Sequence, residues 1–269
     1  MSETVIREYV KEDIPALKKL WIDVFGDTEG FCDRFFEALP DMGSGVVAEI
    51  NGETVGAAYT LNGQELVENG KRCVIGYIYG VGVYEKYRGR GIGGALVKAV
   101  YELSKKREAV TVTTLPAEGS LYEWYERLIG LKCTLHRERF ELECQPVEMT
   151  MPLSSSEYMM WREKLLSDRT HIHLSNYALE FEKQLLREYG GGYYMTESGI
   201  CAAYLDGDTA LVREALCPSR EDCLKAAASV GAAMGAKKCV LFLPSETGKS
   251  YIASDKPLPP DCIWNLTFD

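Results

Sequence analysis

The sequence predicts an α/β protein built from two halves. Helical and strand-like segments alternate along the 269 residues, and the order of two helices, strands, a helix and a strand occurs twice. Prolines and a run of serines lie in the segment 143–156, between the two occurrences. We therefore place a domain boundary there and predict domains at residues 1–145 and 146–269.

The first half is predicted to open with two helices and a hairpin. Apolar residues at helical spacing predict one helix over residues 12–26 and a second that ends at Pro40. Two strand-like segments follow at 46–50 and 54–61. The Asn51–Gly52 pair between them is typical of a tight hairpin turn.

A long uncharged segment leads into the glycine-rich part of the chain. Residues 73–84 are rich in β-branched and aromatic side chains, which suits a central strand. A glycine-rich turn at 88–94, a helix and a strand at 109–115 follow. Ser120 is predicted as the N-cap of the next helix, and residues 131–143 as a strand.

The second half repeats this order without a second glycine-rich turn of the same kind. The segment Ser154–Glu157 has the spacing of a capping box and predicts the start of a helix. A second helix at 176–189 precedes three short strands, and a helix at 221–234 leads into a strand at 239–243. We predict a last strand over residues 263–268.

The composition excludes several classes of protein. A hydrophobic content of 46% and a charged content of 26% are those of an ordinary globular chain, and a net charge of -10 argues against a nucleic-acid partner. No apolar run is long enough to span a membrane, so no membrane partner is expected. The charged N-terminus lacks a signal-peptide core, and the nine cysteines form no C-x-x-C pair, which predicts reduced thiols in a cytoplasmic protein. Three scattered histidines predict no metal site.

The segment from Val81 to Leu96 carries the strongest chemical signal. A buried strand runs into a turn with four glycines, and this turn opens an amphipathic helix. Glycines let the backbone approach a ligand closely, and a helix N-terminus presents N–H groups and a positive dipole end. Seven basic residues and one acidic residue lie between Lys86 and Arg107. The pattern therefore predicts an anion site that suits a pyrophosphate.

Two common phosphate loops do not match. No Lys-Ser or Lys-Thr follows the glycines, as a P-loop requires, and Gly248-Lys249-Ser250 lacks the upstream glycine at the right distance. Gly91-x-Gly93 is followed by Leu96 where a dinucleotide fingerprint has glycine.

The run Arg88-Gly89-Arg90-Gly91-Ile92-Gly93, preceded by Val81-Gly82-Val83, resembles the acyl-CoA loop of the GCN5-related N-acetyltransferase (GNAT) superfamily. The resemblance covers approximately residues 3–143, and the two-half layout looks like tandem bacterial acetyltransferases of the Eis type. It implies a GNAT fold, with a mixed central sheet flanked by helices, followed by a degenerate GNAT-like second half. It also implies acetyl-CoA as the acyl donor and no metal. The cofactor-binding residues implied are Val81, Gly82, Val83, Arg88, Gly89, Arg90, Gly91, Ile92, Gly93 and Gly94.

The resemblance further implies direct transfer of the acyl group to an amine. Backbone N–H groups of Val81 to Val83 would stabilise the thioester oxygen, and a tyrosine would protonate the leaving thiolate. The family's tyrosine matches Tyr125 in Tyr125-Glu126-Arg127-Leu128-Ile129-Gly130, with one residue more than usual before the glycine. Tyr122, one turn earlier, is the second candidate.

The general base stays open. Relatives often carry a glutamate on the strand before the loop, whereas residues 73–80 contain no carboxylate. Glu85, a water held by Tyr77 and Tyr79, and the C-terminal carboxylate of Asp269 are the alternatives.

We therefore predict an N-acetyltransferase that acetylates a primary amine of a small-molecule or peptide acceptor. The acidic remainder of the chain favours a cationic acceptor. A non-catalytic acyl-CoA sensor is the alternative. The oligomeric state is left open, a homo-oligomer included.

Overall fold

A computed structural model describes residues 3–268, which divide into two compact units. The first unit holds the chain up to Leu66, then Arg72–Thr134 and Tyr251–Leu258. The second holds Val67–Lys71, Leu135–Ser250 and the chain from Pro259 onward. The predicted boundary at residue 145 divides the chain once, whereas the compact units are interleaved along it.

The first unit contains four helices and a mixed sheet. The helices are α1 (Ile14–Phe25), α2 (Glu29–Met42), α3 (Ile92–Lys106) and α4 (Gly119–Ile129). The strands that lie wholly or mainly in this unit are β1 (Thr4–Glu8), β2 (Gly43–Ile50), β3 (Glu53–Leu61), β4 (Gln64–Glu68), β5 (Lys71–Val83), β6 (Thr111–Thr114) and β14 (Lys249–Ser254). The strand order is β1-β2-β3-β5-β6-β14, and β5 and β6 are its parallel pair.

The two faces of this sheet are covered by different helices. A Cβ at Gly76 of β5 would lie 2.6 Å from the Cβ of Ser104, so the absence of a side chain lets α3 pack closely on one face. Tyr79 points to the opposite face, because successive side chains of a strand alternate. Its ring centroid lies 5.8 Å from those of both Trp21 in α1 and Phe35 in α2. The mixed sheet flanked by helices confirms the predicted fold class.

Strand β5 contains a bulge at Gly80. Ala57 of β3 pairs with Gly82 and Tyr59 pairs with Tyr79, so β5 has one more residue than β3 over this stretch. Gly80 has a φ of 56°, and a Cβ there would lie 2.7 Å from the Trp21 ring. Bulges re-aim the strand that carries them, so Gly80 sets the direction of the last residues of β5.

Strand β5 extends beyond its parallel partner. The register with β6 begins at Ile75 opposite Thr111 and ends at Ile78 opposite Thr114, where β6 stops. Strand β5 continues to Val83. The two strands therefore part at Ile78, and this parting leaves space in the unit beside the end of β5.

A distant part of the chain completes the first unit. Strand β14 pairs with β6, and Asp255 follows it directly. The Asp255 carboxylate accepts hydrogen bonds from the Thr111 hydroxyl and the Val112 N–H, both at 2.8 Å, and forms an ion pair with Lys105 at 2.5 Å. These contacts fix the segment Tyr251–Leu258 on β6 and α3.

The second unit shares with the first the order of a strand, two helices, several strands, a helix and a strand. It differs by a short strand between its first two helices and by having no counterpart of α4 among the described residues. Its helices are α5 (Ser155–Leu165), α6 (Asn176–Glu188) and α7 (Arg220–Ala233). Its strands are β7 (Lys132–Glu143), which begins in the first unit, β8 (Thr150–Leu153), β9 (His171–Leu174), β10 (Gly192–Thr196), β11 (Ile200–Asp206), β12 (Thr209–Leu216) and β13 (Lys238–Pro244). The sheet order is β7-β13-β12-β11-β10-β8, in which β12 and β13 are parallel. Its origin as a degenerate GNAT-like copy stays a prediction.

Two predictions made from local sequence signals, a hairpin turn and a capping box, are confirmed. The Asn51–Gly52 turn has φ values of 52° and 79°, and Ser154 forms the predicted capping box with Glu157. Helix α2 continues past Pro40 to Met42, although Pro40 has no N–H to donate to the carbonyl four residues earlier. Ser120 is not the N-cap, since α4 already begins at Gly119.

The C-terminal prediction was wrong. Residues 263–268 form no strand, and Ile263 makes a single isolated bridge to His171. The strand in this part of the chain is β14, which the sequence pattern did not reveal, and β1, β4, β8 and β9 were also missed.

We expect Gly80→Ala to lower the free energy of unfolding by about 2–4 kcal/mol, because the new methyl group combines an unfavourable φ with a clash against Trp21. Gly26→Ala is the matched control. Its φ is 80° and a Cβ there meets nothing within 4 Å, so about 1–2 kcal/mol should be lost. Urea denaturation measures both variants. Equal losses would show that the contact with Trp21 contributes nothing.

Candidate active site

A pocket of about 560 Å³ opens where β5 ends and α3 begins. Strand β5 supplies Val81, Gly82 and Val83 to its wall, and α4 supplies Trp124 and Tyr125. The glycine-rich turn and the first turn of α3 supply Arg88, Gly89, Gly91, Ile92, Gly93 and Gly94. The pocket wall thus contains every predicted cofactor-binding residue except Arg90, together with the predicted acid Tyr125.

The turn has a backbone shape that depends on glycine. Gly89 and Gly91 have φ values of 74° and 80°, in the left-handed region that other residues rarely adopt. Gly91 is also the N-cap of α3 and makes no side-chain capping bond. Because the first N–H groups of a helix have no partner within the helix, those of the first turn of α3 are available at the pocket wall.

Space beside the turn is open. A Cβ added at Gly89 or Gly91 would meet nothing within 4 Å, and one added at Gly93 would have Val83 as its nearest neighbour at 3.9 Å. Glycine at these positions therefore leaves room for a ligand against the backbone rather than room for a neighbouring protein group.

Side chains around the glycine-rich turn stabilise it through hydrogen bonds. The Glu53 carboxylate accepts hydrogen bonds from Lys86 Nζ and the Tyr87 hydroxyl, each at 2.9 Å, and these bonds lower the pKa of Glu53. Arg88 Nε donates to the Val83 carbonyl at 3.1 Å. Arg90 donates to the Lys86 carbonyl at 3.1 Å, so its side chain supports the turn from outside the pocket wall.

Tyr125 lies where β5 and β6 part. Only 6% of the residue is exposed, and its hydroxyl is hydrogen-bonded to Thr114, the last residue of β6. The Thr114 hydroxyl in turn donates to the Ile78 carbonyl at 3.0 Å. Burial raises the pKa of Tyr125 to about 12, so this phenol keeps its proton at neutral pH.

The second candidate acid has a different environment. The Tyr122 hydroxyl donates to the Tyr251 carbonyl at 2.9 Å, which links α4 to β14. The tertiary structure therefore separates two tyrosines that lie one turn apart in the sequence: Tyr125 lines the pocket, and Tyr122 holds the returning segment.

The candidate bases are dispersed. Tyr77 is 2% exposed and packs against Tyr79, with ring centroids 5.9 Å apart. Glu85 is exposed in a short 3-10 helix, Glu85–Tyr87. Asp269 lies outside the described residues. Among the described residues that line the pocket there is no carboxylate and no histidine.

Three residues that shape the site escaped the sequence analysis. Gly80 had a usable signal, since a glycine inside a strand often marks a bulge. Glu53 and Thr114 had none, because each acts through a partner distant in sequence: Glu53 on the turn at 86–87, and Thr114 on Ile78 and Tyr125.

Within residues 3–268, no group of three or more His, Cys, Asp or Glu side chains is arranged to hold a metal ion. No helix in that range has both the length and the apolar character needed to cross a membrane.

The first unit is similar to a known protein family. Residues 5–126 match the family model described as an acetyltransferase (GNAT) domain. The first unit contains a GNAT acetyltransferase domain. This match spans the glycine-rich turn and Tyr125, and it confirms the resemblance drawn from the sequence. A comparison with curated proteins finds no match.

Solved structures extend the likeness beyond the GNAT domain. A GCN5-related N-acetyltransferase from Kribbella flavida is 17% identical, with a TM-score of 0.70 over 94% of this chain and 71% of that one. One from Anabaena variabilis is 12% identical, with a TM-score of 0.69 over 94% and 72%. Eis1 from Mycobacterium abscessus is 13% identical, with a TM-score of 0.64 over 93% and 73%. At these identities the likeness is one of fold.

The buried phenol of Tyr125 should lose its proton at a higher pH than an exposed tyrosine does. Its pKa of about 12 exceeds the value of about 10 for an exposed tyrosine, so the neutral form stabilises the native state below about pH 10. That contribution is lost as the pH rises through 12. We expect the tyrosinate absorbance of wild type and Tyr125→Phe to diverge only near pH 12. Divergence near pH 10 would show that Tyr125 is solvated.

Proposed function

We propose that the GNAT domain transfers the acetyl group of acetyl-CoA to a primary amine. The observation that carries this proposal is one pocket that unites the glycine-rich turn, the open N-terminus of α3 and the Tyr125 hydroxyl. A turn and a helix start of this kind suit a diphosphate, and a protonated phenol suits a leaving thiolate.

The turn would hold the diphosphate through its backbone. The left-handed conformations of Gly89 and Gly91, with the first-turn N–H groups of α3, supply donors along one wall. The positive end of the helix dipole adds to their attraction for an anion. No metal is needed in this scheme, because amide donors and the dipole balance the charge.

The end of β5 would stabilise the reacting carbonyl. Since β6 stops at Thr114, the backbone of Val81 to Val83 borders the pocket rather than a parallel neighbour. Fixed N–H donors beside the thioester oxygen stabilise the negative charge that develops on it, and they need no reorganisation during the reaction.

The chemistry is a single acyl transfer. The lone pair of a neutral amine attacks the thioester carbon, an amide bond forms and the carbon–sulfur bond breaks. The sulfur takes a proton from Tyr125, which is reprotonated by solvent, and the new amide nitrogen releases one proton to water. The products are the N-acetylated acceptor and the free thiol of CoA.

The acceptor is a small molecule or a peptide with a primary amine. The net charge of -10, despite the basic segment between Lys86 and Arg107, supports a cationic acceptor. All nine cysteines are free, which supports action in the cytoplasm, where thiols stay reduced.

A free-thiol assay tests the transfer. The chain is incubated with acetyl-CoA and a panel of polyamines, aminoglycosides and lysine peptides. Acceptor-dependent release of thiol, with the acetylated product seen by mass spectrometry, supports the proposal, and release that does not depend on any acceptor contradicts it.

The absence of a carboxylate among the described pocket residues favours a second candidate, a sensor that binds acyl-CoA without turnover. Binding of acetyl-CoA by calorimetry, without thiol release from any acceptor in the panel, would support the sensor.

We expect Gly91→Glu to abolish binding of CoA and acetyl-CoA, because the new carboxylate would occupy the open space and repel a diphosphate. Gly235→Glu is the matched control: its φ is also 80°, its Cβ also meets nothing within 4 Å, and it does not line the pocket. Calorimetry measures binding, and circular dichroism checks the fold. Retained affinity in Gly91→Glu would remove the turn from the site.

We expect Tyr125→Phe to reduce kcat by on the order of 10²–10³-fold, because the leaving thiolate loses its proton donor. The Kd for acetyl-CoA should stay within about threefold of wild type, since the phenol interacts with the thiolate that forms in the transition state. Tyr122→Phe is the control, and it should lower stability by about 1 kcal/mol with kcat unchanged. Equal kcat values in the two variants would exclude Tyr125 as the acid.

A further inference from the structure

The first unit contains a second pocket, at the outer edge of its sheet. The edge strand β1 pairs with β2 only as far as Glu8 opposite Val46, whereas β2 already begins at Gly43. A pocket of about 810 Å³ opens where β1 ends, and its wall includes Gly43 and Ser44. It shares no wall residue with the pocket at the end of β5.

The start of β2 has a strand neighbour on one side only. Residues 43–45 pair with residues 59–61 of β3. On the other side the Gly45 carbonyl accepts from the Tyr9 N–H at 3.1 Å, and the chain then enters a 3-10 helix, Lys11–Asp13. No strand in the described part of the chain continues beside Gly43. Its carbonyl faces the same side as that of Gly45, because main-chain groups alternate along a strand, so this edge can pair with a further extended chain.

A buried hydroxyl without a partner lies on the wall of this pocket. Ser44 is 7% exposed, and none of the described residues forms a hydrogen bond with its hydroxyl. A buried polar group that finds no protein partner costs free energy unless water or a ligand bonds to it. Because Ser44 lines the pocket, its hydroxyl is available to a bound ligand.

The wall also carries charged side chains of both signs. Four of them form no hydrogen bond or ion pair through their side chains within residues 3–268: Glu8, Glu37, Lys11 and Arg107. Burial raises the pKa of Tyr9, another wall residue, and the charge of Arg107 opposes this rise, so the guanidinium lies near the phenol. Two carboxylates and two cations are therefore available to a ligand.

The end of α2 favours a positive group. Pro40 has no N–H for the Phe36 carbonyl, and both residues belong to the wall. The C-terminal end of a helix carries partial negative charge, to which Glu37 adds its carboxylate. Lys18 and Asp33, also on the wall, form an ion pair at 2.5 Å and neutralise each other.

We propose that this pocket binds a short peptide with free termini, extended along the edge of β2. The ammonium group of the peptide lies beside Glu37 and the end of α2, and its carboxylate lies beside Lys11 and Arg107. The Gly43 carbonyl and the Ser44 hydroxyl bond to its main chain. A zwitterion matches a wall that has charges of both signs, whereas a ligand of one charge would leave half of them unpaired. The pocket volume is within the range of about 300–1,000 Å³ that is usual for small ligands.

Triglycine, a zwitterion without side chains, is the probe. Nuclear magnetic resonance follows the amide signals of the isotope-labelled full chain during a titration without acetyl-CoA. We expect saturable shifts at residues 43–45, with a Kd of about 1 mM or below for a ligand of this size, and no shift at Gly91. Shifts at Gly91 alone, or no saturable shift at residues 43–45 below about 10 mM triglycine, would overturn the proposal.

Two blocked peptides test the recognition of each charge. N-acetyl-triglycine has no ammonium group, and triglycine amide has no carboxylate. Each should bind at least about tenfold more weakly than triglycine, because one charge-assisted hydrogen bond is lost. Equal affinities of the three peptides would show that the termini are not recognised, which contradicts the proposal.

Variants of the wall locate the two ends of the peptide. Glu37→Gln and Arg107→Gln should each weaken triglycine binding by about tenfold, and in Glu37→Gln the advantage of triglycine over its N-acetyl form should disappear. The matched controls are Asp41→Asn on the same helix and Lys106→Gln beside Arg107, and neither residue lines the pocket. All four side chains are exposed, so the fold should be retained. Equal effects of wall and control variants would overturn the assignment, and the readout does not depend on acetyl transfer.

Discussion

The parting of β5 from β6 after Ile78 is the constraint on which the site depends. A parallel pair that stayed closed to Val83 would leave no space for a ligand beside the end of β5. Because β6 stops at Thr114, its last hydroxyl can bridge the Ile78 carbonyl and Tyr125. The bulge at Gly80 then directs the end of β5 along the pocket. One interruption in a sheet thus brings the end of β5 and the phenol of Tyr125 to the same pocket.

The glycines of the first unit serve three separate physical purposes. Gly89 and Gly91 provide left-handed backbone, which costs other residues about 1–2 kcal/mol each. Gly93 leaves open space beside the turn, and Gly76 lets α3 approach the sheet. Gly80 combines a positive φ with a close contact to Trp21. All of them are glycine in the sequence. Only the geometry distinguishes a glycine that leaves open space beside the turn from one that lets two elements pack closely.

The two units show that one arrangement of strands can hold different chemistry. Each has a parallel pair that parts early, a bulge on the longer strand and a helix that follows that strand in the chain. The start of α3 lacks a side-chain cap, whereas Ser219 and two acidic residues occupy the start of α7. The chemistry that each strand–helix junction can offer therefore depends on its residues rather than on the fold.

The sequence by itself determined the features that short-range geometry controls: the spacing of the helices, the Asn51–Gly52 hairpin, the capping box at Ser154 and the glycine-rich turn. The tertiary structure placed Tyr125 at the pocket and Tyr122 against the Tyr251 carbonyl, and it brought Tyr251–Leu258 back to the first unit. The physical reason is the distance along the sequence between the residues that interact. Turns, caps and helical periodicity depend on neighbouring residues, whereas burial and hydrogen bonding at a site depend on which distant segments pack together.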